Sequence, residues 1–377
     1  MKKNFLFAAV ALAAMTSCSN DEVVNVNNGD AISFRALLNK SISRGAETNL
    51  QNLGAFNVTA VGNDKNYFTN LGVTSEDGGK SWNTASVYYW PTFDLAFSAY
   101  APKEIQEKVN ISATGGKIIG FSPKQVVAEQ QDLVVAYNTG NRTDNETTGV
   151  PLHFKHALSQ IAVQALCMNP KIKIEVKGVR IVNAAATADF TFPTTPTVES
   201  STTLLPQNLW NNWADKNNLE KAYEIKSDKA IVLGNQPQSL MFTQGNFMLI
   251  PQQLEKWEEN ATKQGAYLSV LCRISSIDGD NEVLLYPLAT ASEPQTDKYA
   301  YSAVAIDTNW LPGKKYTYTL TFCGKDGGAG RVDPNPDPSL PTPLPGKEGG
   351  ELILGNPIKF TVTVDDWSPV EENITMG

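Results

Sequence analysis

This sequence predicts an all-β protein of two tandem β-sandwich domains with mostly antiparallel strands, and three observations carry that prediction. Short runs with an apolar residue at every second position recur along the chain, the period of a strand with one buried face. Turn formers are dense, with 21 prolines and 27 glycines among 377 residues, and no long stretch repeats at helical period. The third observation is a break in the alternation between residues 150 and 167, VPLHFKHALSQIAVQALC. Leu152 and Phe154 alternate with His153 and Lys155, and Ile161, Val163 and Ala165 alternate with Ala162, Gln164 and Leu166. Ala157-Leu158-Ser159 fits neither run. The segment reads as the last strand of one domain passing into the first strand of the next, the two meeting between about His156 and Gln160.

The bulk properties agree. A length of 377 residues is long for one domain and comfortable for two. Lys and Arg number 31 against 39 Asp and Glu, a net charge of −8, which argues against a nucleic-acid partner because that needs a clustered basic face.

In chain order, residues 1–17 read as an export signal. Lys2 and Lys3 precede an apolar run at 5–15 that is too short to span a membrane as a mature helix. Thr16-Ser17-Cys18 ends it like a lipobox, with Met15 in place of the more usual leucine. Cys18 is therefore the expected lipidation site, and several acyl chains there would anchor the protein firmly to a membrane. The alternative is an ordinary signal peptide that happens to contain Cys18. Residues 18–29 read as a flexible tether.

The N-terminal domain spans 30–157. Its first strand, 30–38, puts Ile32, Phe34, Ala36 and Leu38 on one face. Arg44-Gly45 sits in a polar break, and further strands are expected at 53–61, 87–89, 95–100, 109–119 and 132–137. Asp77-Gly78-Gly79 has the residues a tight turn needs. The C-terminal domain spans 158–377, with two strands about Gly178 within 172–182 and others at 188–192, 247–251, 267–274, 283–286, 302–306 and 316–322. Residues 204–220 read as a polar loop, and 324–350, dense in proline and glycine, as an exposed loop outside the core. Clean alternation returns at 358–367, where Phe360, Val362 and Val364 face away from Lys359, Thr361 and Thr363; a strand after so long a loop suits a sheet edge or a closing position.

Candidates for chemistry are few. His153 and His156 are the only histidines, and an extended chain turns them to opposite faces, so no metal site is expected. His156 fits better as a junction residue bonded to backbone. No HExxH, GxSxG or P-loop pattern occurs, no nucleophile–base pair can be built around two neighbouring histidines, and the sequence predicts neither an enzyme nor a cofactor. Residues 278–282, DGDNE, are too short for an EF-hand and read as a hairpin turn. Cys167, Cys272 and Cys323 have strand-like neighbours and read as small core residues; one disulfide, Cys272–Cys323, is open to them in an oxidising compartment. Trp210 and Trp213 are either a sugar-stacking surface or rings that pin the 204–220 loop to the sandwich. The remaining tryptophans lie in or beside strands and read as core.

Five segments together carry a resemblance. FKHALSQIAV (154–163), WPTFDLAFSAYAP (90–102), FMLIPQQL (247–254), WLPGKKYTYTLTF (310–322) and IKFTVTVDDW (358–367) resemble, in the same order, the fimbrillin-like lipoproteins of the Bacteroidetes, subunits of type V pili. The resemblance implies two transthyretin-like sandwiches on a cell-surface, outer-membrane lipoprotein of a fimbrium. Asp21-Glu22 resembles a surface-export signal of these bacteria, with a solvated tether as the alternative. In the family a trypsin-like protease cuts after an arginine beyond the first strand, that strand leaves, and another subunit donates a strand into the groove. The matching bond is Arg44-Gly45; Arg35, the rival, lies inside the strand. Ile32, Phe34, Ala36 and Leu38 would then be the displaced face, with Phe360, Val362 and Val364 or the tail after Trp367 as the donor. Partners implied are other pilus subunits, the outer membrane through lipid on Cys18, and a host or bacterial receptor or glycan. A surface glycan-binding lipoprotein is the alternative reading.

Overall fold

The computed structural model describes residues 31–38, 48–198, 204–259, 263–288, 298–335 and 349–367. Cys18, Arg44, Gly45, the expected signal and tether, and the tail after Trp367 lie outside these residues.

Up to residue 156 the chain forms β1 (Phe34–Leu37), β2 (Ala55–Gly62), β3 (Lys65–Thr74), β4 (Asn83–Thr84), β5 (Leu95–Ala101), β6 (Val109–Ser112), β7 (Gly115–Phe121), β8 (Val134–Gly140), β9 (Val150–His153) and β10 (Lys155–His156). An antiparallel sheet of six strands runs β10-β8-β5-β2-β3-β4. The β2–β3 hairpin turns on Asn63 and Asp64, both left-handed at φ 48° and 57°, the geometry a two-residue loop requires. Against one face of this sheet lies a parallel pair, β1 with β9. Ile32, Phe34, Ala36, Leu38, Val150, Leu152 and Phe154 meet Phe56, Val58, Ala60, Phe97, Ala99, Val134 and Ala136 in one core. Of the runs expected here, 87–89 makes only a single bridge, Tyr89 to Ala31, and 109–119 folds back on itself as the β6–β7 hairpin.

Beyond the break come β11 (Ser159–Cys167), β12 (Ile172–Val182), β13 (Thr187–Thr191), β14 (Trp210–Ala214), β15 (Tyr223–Val232), β16 (Gln238–Ser239), β17 (Phe247–Leu249), β18 (Tyr267–Asp278), β19 (Asn281–Tyr286), β20 (Ala300–Ala305), β21 (Lys314–Phe322), β22 (Arg331–Val332) and β23 (Lys359–Asp366). One sheet runs β16-β11-β21-β23, the other β15-β12-β18-β20-β22. They face each other across a core that includes Ile161, Val163, Val176, Val270, Trp310, Tyr318 and Leu320. Strand pairing is antiparallel except for β1–β9 and β11–β21 among the described strands. Residues 172–182 form one strand and not two: the register shifts at Gly178, a bulge, and a side chain there would come within 2.7 Å of the Ile225 carbonyl oxygen.

A last sheet, β14-β13-β7-β6, takes two strands from each side of the break. Behind it Tyr100, Val135, Ala157, Leu158, Phe190, Trp210, Ile250 and Trp367 share a core, so Ala157 and Leu158 are buried where alternation lapses.

Two further expectations change. Residues 204–220 contain a strand, β14, paired with β13. The start of the proline- and glycine-rich stretch is not an exposed loop, because Ala329, Val332, Asp333 and Asn335 are all buried. The Asp333 carboxylate accepts from Arg180 Nη2 at 2.8 Å, from Tyr267 Oη at 2.9 Å and from the Ser269 hydroxyl, while the Arg180 guanidinium lies 3.8 Å from the centre of the Tyr301 ring. A carboxylate so fully paired can be buried at little net cost. Residues 336–348 lie outside the described ones.

Candidate functional site

β1 has a buried apolar face and a short backbone ladder. Ile32, Phe34 and Ala36 are each 4% exposed and Leu38 9%, so the expected apolar face is buried. Phe34 meets Phe97 and Phe56 edge-on at centroid distances of 5.6 and 6.5 Å. Its backbone ladder is short: four residues pair with Val150–His153, extended by Val150 N–H to Ser33 O at 2.8 Å and Phe154 N–H to Leu37 O at 2.8 Å. On the other side Ile32 N–H donates to Tyr88 O at 2.7 Å. Gly149, at φ +71°, lets the chain pass close to β1; a side chain there would come within 2.9 Å of the Ser33 hydroxyl. Arg35 is exposed on the opposite face of the strand.

The stretch that carries Arg44 and Gly45 joins two tethered points. Leu38 is buried in the core, and Thr48 N–H reaches Asp132 Oδ2 at 3.4 Å. Asp132 Oδ2 also meets His156 Nδ1 at 2.6 Å, so His156 is bonded to a carboxylate and not, as expected, to backbone. The His156 ring stacks on Trp367, 4.4 Å between centroids and 7° from parallel. That contact ties the end of β23 to β10.

β23 is an edge strand among the described residues, as its position after a long loop suggested. Eight of its residues pair with β21. Phe360 and Val362 pack against the C-terminal core only in part, and Val364 is 50% exposed.

The two tryptophans separate. Trp210 is 1% exposed, lies against Phe190 at 5.1 Å, and donates its indole N–H to Ala157 O at 2.8 Å. It is a junction core residue and cannot stack on a sugar. Trp213 is 36% exposed, and its indole N–H donates to Pro251 O at 3.0 Å, which pins β14. Cys272 is buried as a free thiol and Cys323 is also free, so the Cys272–Cys323 bridge is not formed. Among the described residues no group of three or more His, Cys, Asp or Glu side chains could hold a metal ion.

A sequence profile of fimbrillin-like proteins matches residues 42–335. This chain belongs to the fimbrillin-like family. As a fimbrillin-like chain it stands among structural adhesion proteins and not enzymes, with a pilus-subunit or adhesion role at the cell surface. Similar solved structures include a fimbrilin of Porphyromonas gingivalis W83, 11% identical with a TM-score of 0.42, covering 91% of this chain and 98% of that one. The tip fimbrial protein Mfa3 of Porphyromonas gingivalis is 12% identical with a TM-score of 0.39, covering 89% and 100% respectively. A candidate cell adhesion protein of Parabacteroides distasonis is 9% identical with a TM-score of 0.49, covering 92% and 99%. No curated protein matches by sequence.

Proposed function

We propose that this fimbrillin-like chain is a structural or accessory subunit of a type V pilus, a surface lipoprotein held by lipid on Cys18, which assembles by protease-triggered strand exchange and contributes to adhesion. Its two domains, 30–157 and 158–377, carry the two ends of that exchange. The observation that supports the reading is β1, with its apolar face 4–9% exposed on a backbone ladder of only four paired residues. Such a strand is held by side chains more than by hydrogen bonds, so a second chain with the same alternation can replace it. Cutting Arg44-Gly45 would separate β1 from the anchor at Thr48 and make its departure an independent event. The groove left by Phe34, Ile32 and Leu38 would lose roughly 1.5–3 kcal/mol for each large side chain, which drives capture of a replacement. Of the two donors, Phe360, Val362 and Val364 would first have to leave an eight-residue ladder.

Limited trypsin treatment followed by amino-terminal sequencing and sizing tests the proposal. Cleavage that exposes Gly45, with ladder-like oligomers that Arg44→Ala abolishes, is the expected result. An uncut monomer on cells that display pili would reduce the chain to an anchor or accessory subunit. Lipidation is tested separately: labelled fatty acid should enter the wild type and not Cys18→Ala, and equal labelling would overturn it.

A further inference from the structure

Cys167 ends β11 and Cys323 directly follows β21; the two strands run parallel with Cys167 opposite Phe322. Met168 N–H donates to Phe322 O at 3.0 Å, so the strands stay paired to this point. Cys323 then turns out of the strand at φ +50°, and its own N–H donates to Gly328 O at 2.9 Å. That turn sets Cys323 beside Cys167, whose thiol donates to Ile172 O at 3.5 Å and lies 3.6 Å from Asn169 O. Residues on neighbouring strands at such offset have Cα atoms within the span a disulfide bridges, about 4.4–6.8 Å. Both cysteines are free thiols, Cys167 buried and Cys323 partly exposed.

We propose that Cys167 and Cys323 are a redox pair that closes to a disulfide and staples the ends of β11 and β21. The oxidant is a protein or small-molecule disulfide, which is reduced to two thiols as the pair is oxidised by two electrons. Cys167 first loses its proton to solvent; its thiolate then takes the proton of Cys323 as Cys323, the more exposed, attacks one sulfur of the incoming disulfide, and the first thiolate departs. Cys167 releases that proton to solvent and attacks the Cys323 sulfur; the S–S bond of the mixed disulfide breaks and the second thiolate departs. The two leaving thiolates take up the two protons that the pair has lost.

The local chemistry fits these roles. The neighbouring Cys323 side chain holds the Cys167 thiol down at about 7, against burial, which opposes it, and the same neighbour pushes Cys323 up. Cys167 is therefore ready to resolve a mixed disulfide near neutral pH. Cys272 offers no competition: it is fully buried in β18, and burial pushes its thiol far up. The staple also fixes a base for β23, because Gly328, which Cys323 bonds, donates to Pro357 O at 3.0 Å just ahead of that strand.

The test uses the full chain in its producing cells, quenched in acid, blocked with N-ethylmaleimide, and mapped by peptide mass spectrometry without reductant. A linked peptide containing Cys167 and Cys323 is expected, with Cys272 unlinked. The link should persist in Cys272→Ser and vanish in Cys167→Ser and in Cys323→Ser. Reduction of the folded wild type should lower Tm by roughly 5–15 °C. The proposal is overturned if both cysteines carry N-ethylmaleimide in cell-derived protein and stay unlinked when the folded chain is incubated with oxidised glutathione. A link through Cys272 would overturn it equally. The wild-type map needs no variant, so a misfolding substitution leaves the answer intact.

Discussion

β1 and β23 have the same sequence pattern and opposite attachments. Ile32, Phe34, Ala36 and Leu38 alternate in one, Phe360, Val362 and Val364 in the other, yet the first face is 4–9% exposed and the second reaches 50% at Val364. The backbone reverses that order, with four ladder pairs for β1 and eight for β23. Alternation therefore says that a strand has an apolar side and nothing about what covers it. β1 lies across the face of a second layer, whereas β23 extends the edge of a sheet where the opposing one covers Phe360 and Val362 only in part. A strand held by its side chains is exchangeable for another of like pattern; a strand held by its backbone is not released so easily.

Substitutions can break or sharpen this contrast. Phe34→Ala should cost roughly 3–5 kcal/mol in denaturant unfolding of the uncleaved chain, since it empties a site bounded by Phe56 and Phe97. A loss below about 1 kcal/mol would mean that β1 does not depend on its core face. Trp367→Ala should fall in the same range of roughly 3–5 kcal/mol, because the ring is 3% exposed and stacked on His156. That outcome would locate the hold on β23 at the residue that follows it. Gly149→Ala is expected to cost about 1–3 kcal/mol, through a left-handed backbone and crowding of Ser33, and to speed proteolysis within β1. Unchanged proteolysis would argue that β1 tolerates displacement there. Val364→Ala should change stability by less than about 0.5 kcal/mol, and a larger loss would show that the outer part of β23 is covered after all.

How far the sequence could be read depended on whether a feature was local. The strands at 30–38, 53–61 and 358–367 follow from period-two alternation, and the edge position of the last follows from the long loop before it. Gly178 was read as a gap between strands because a bulge and a turn call for the same residue; only the approach of Ile225 O to 2.7 Å distinguishes them. The 324–335 stretch reads as loop from its proline and glycine, but Asp333 is buried by Arg180, 153 residues away in sequence. Trp210 and Trp213 look alike in LWNNWA, and alternation within β14, once recognised as a strand, would have sent them apart. The neighbourhood of Cys167 and Cys323 was hidden for a similar reason. Cys167 and Cys323 meet through the parallel register of β11 and β21, which no local pattern announces. The Asp132–His156 contact follows from the antiparallel pairing of β8 and β10: Asp132 lies just ahead of β8, and His156 ends β10 beside it.

The β14-β13-β7-β6 sheet has a mechanical consequence. Its middle pair, β13 with β7, is a row of hydrogen bonds laid across the point where the chain would otherwise hinge. Bending there must shear that row and open the core behind it, so the two halves should tumble as one body, which the rotational correlation time of the monomer would report. In a filament of such units the compliance would then reside in the joints between copies, and the spacing of those joints would set how the filament curves under flow.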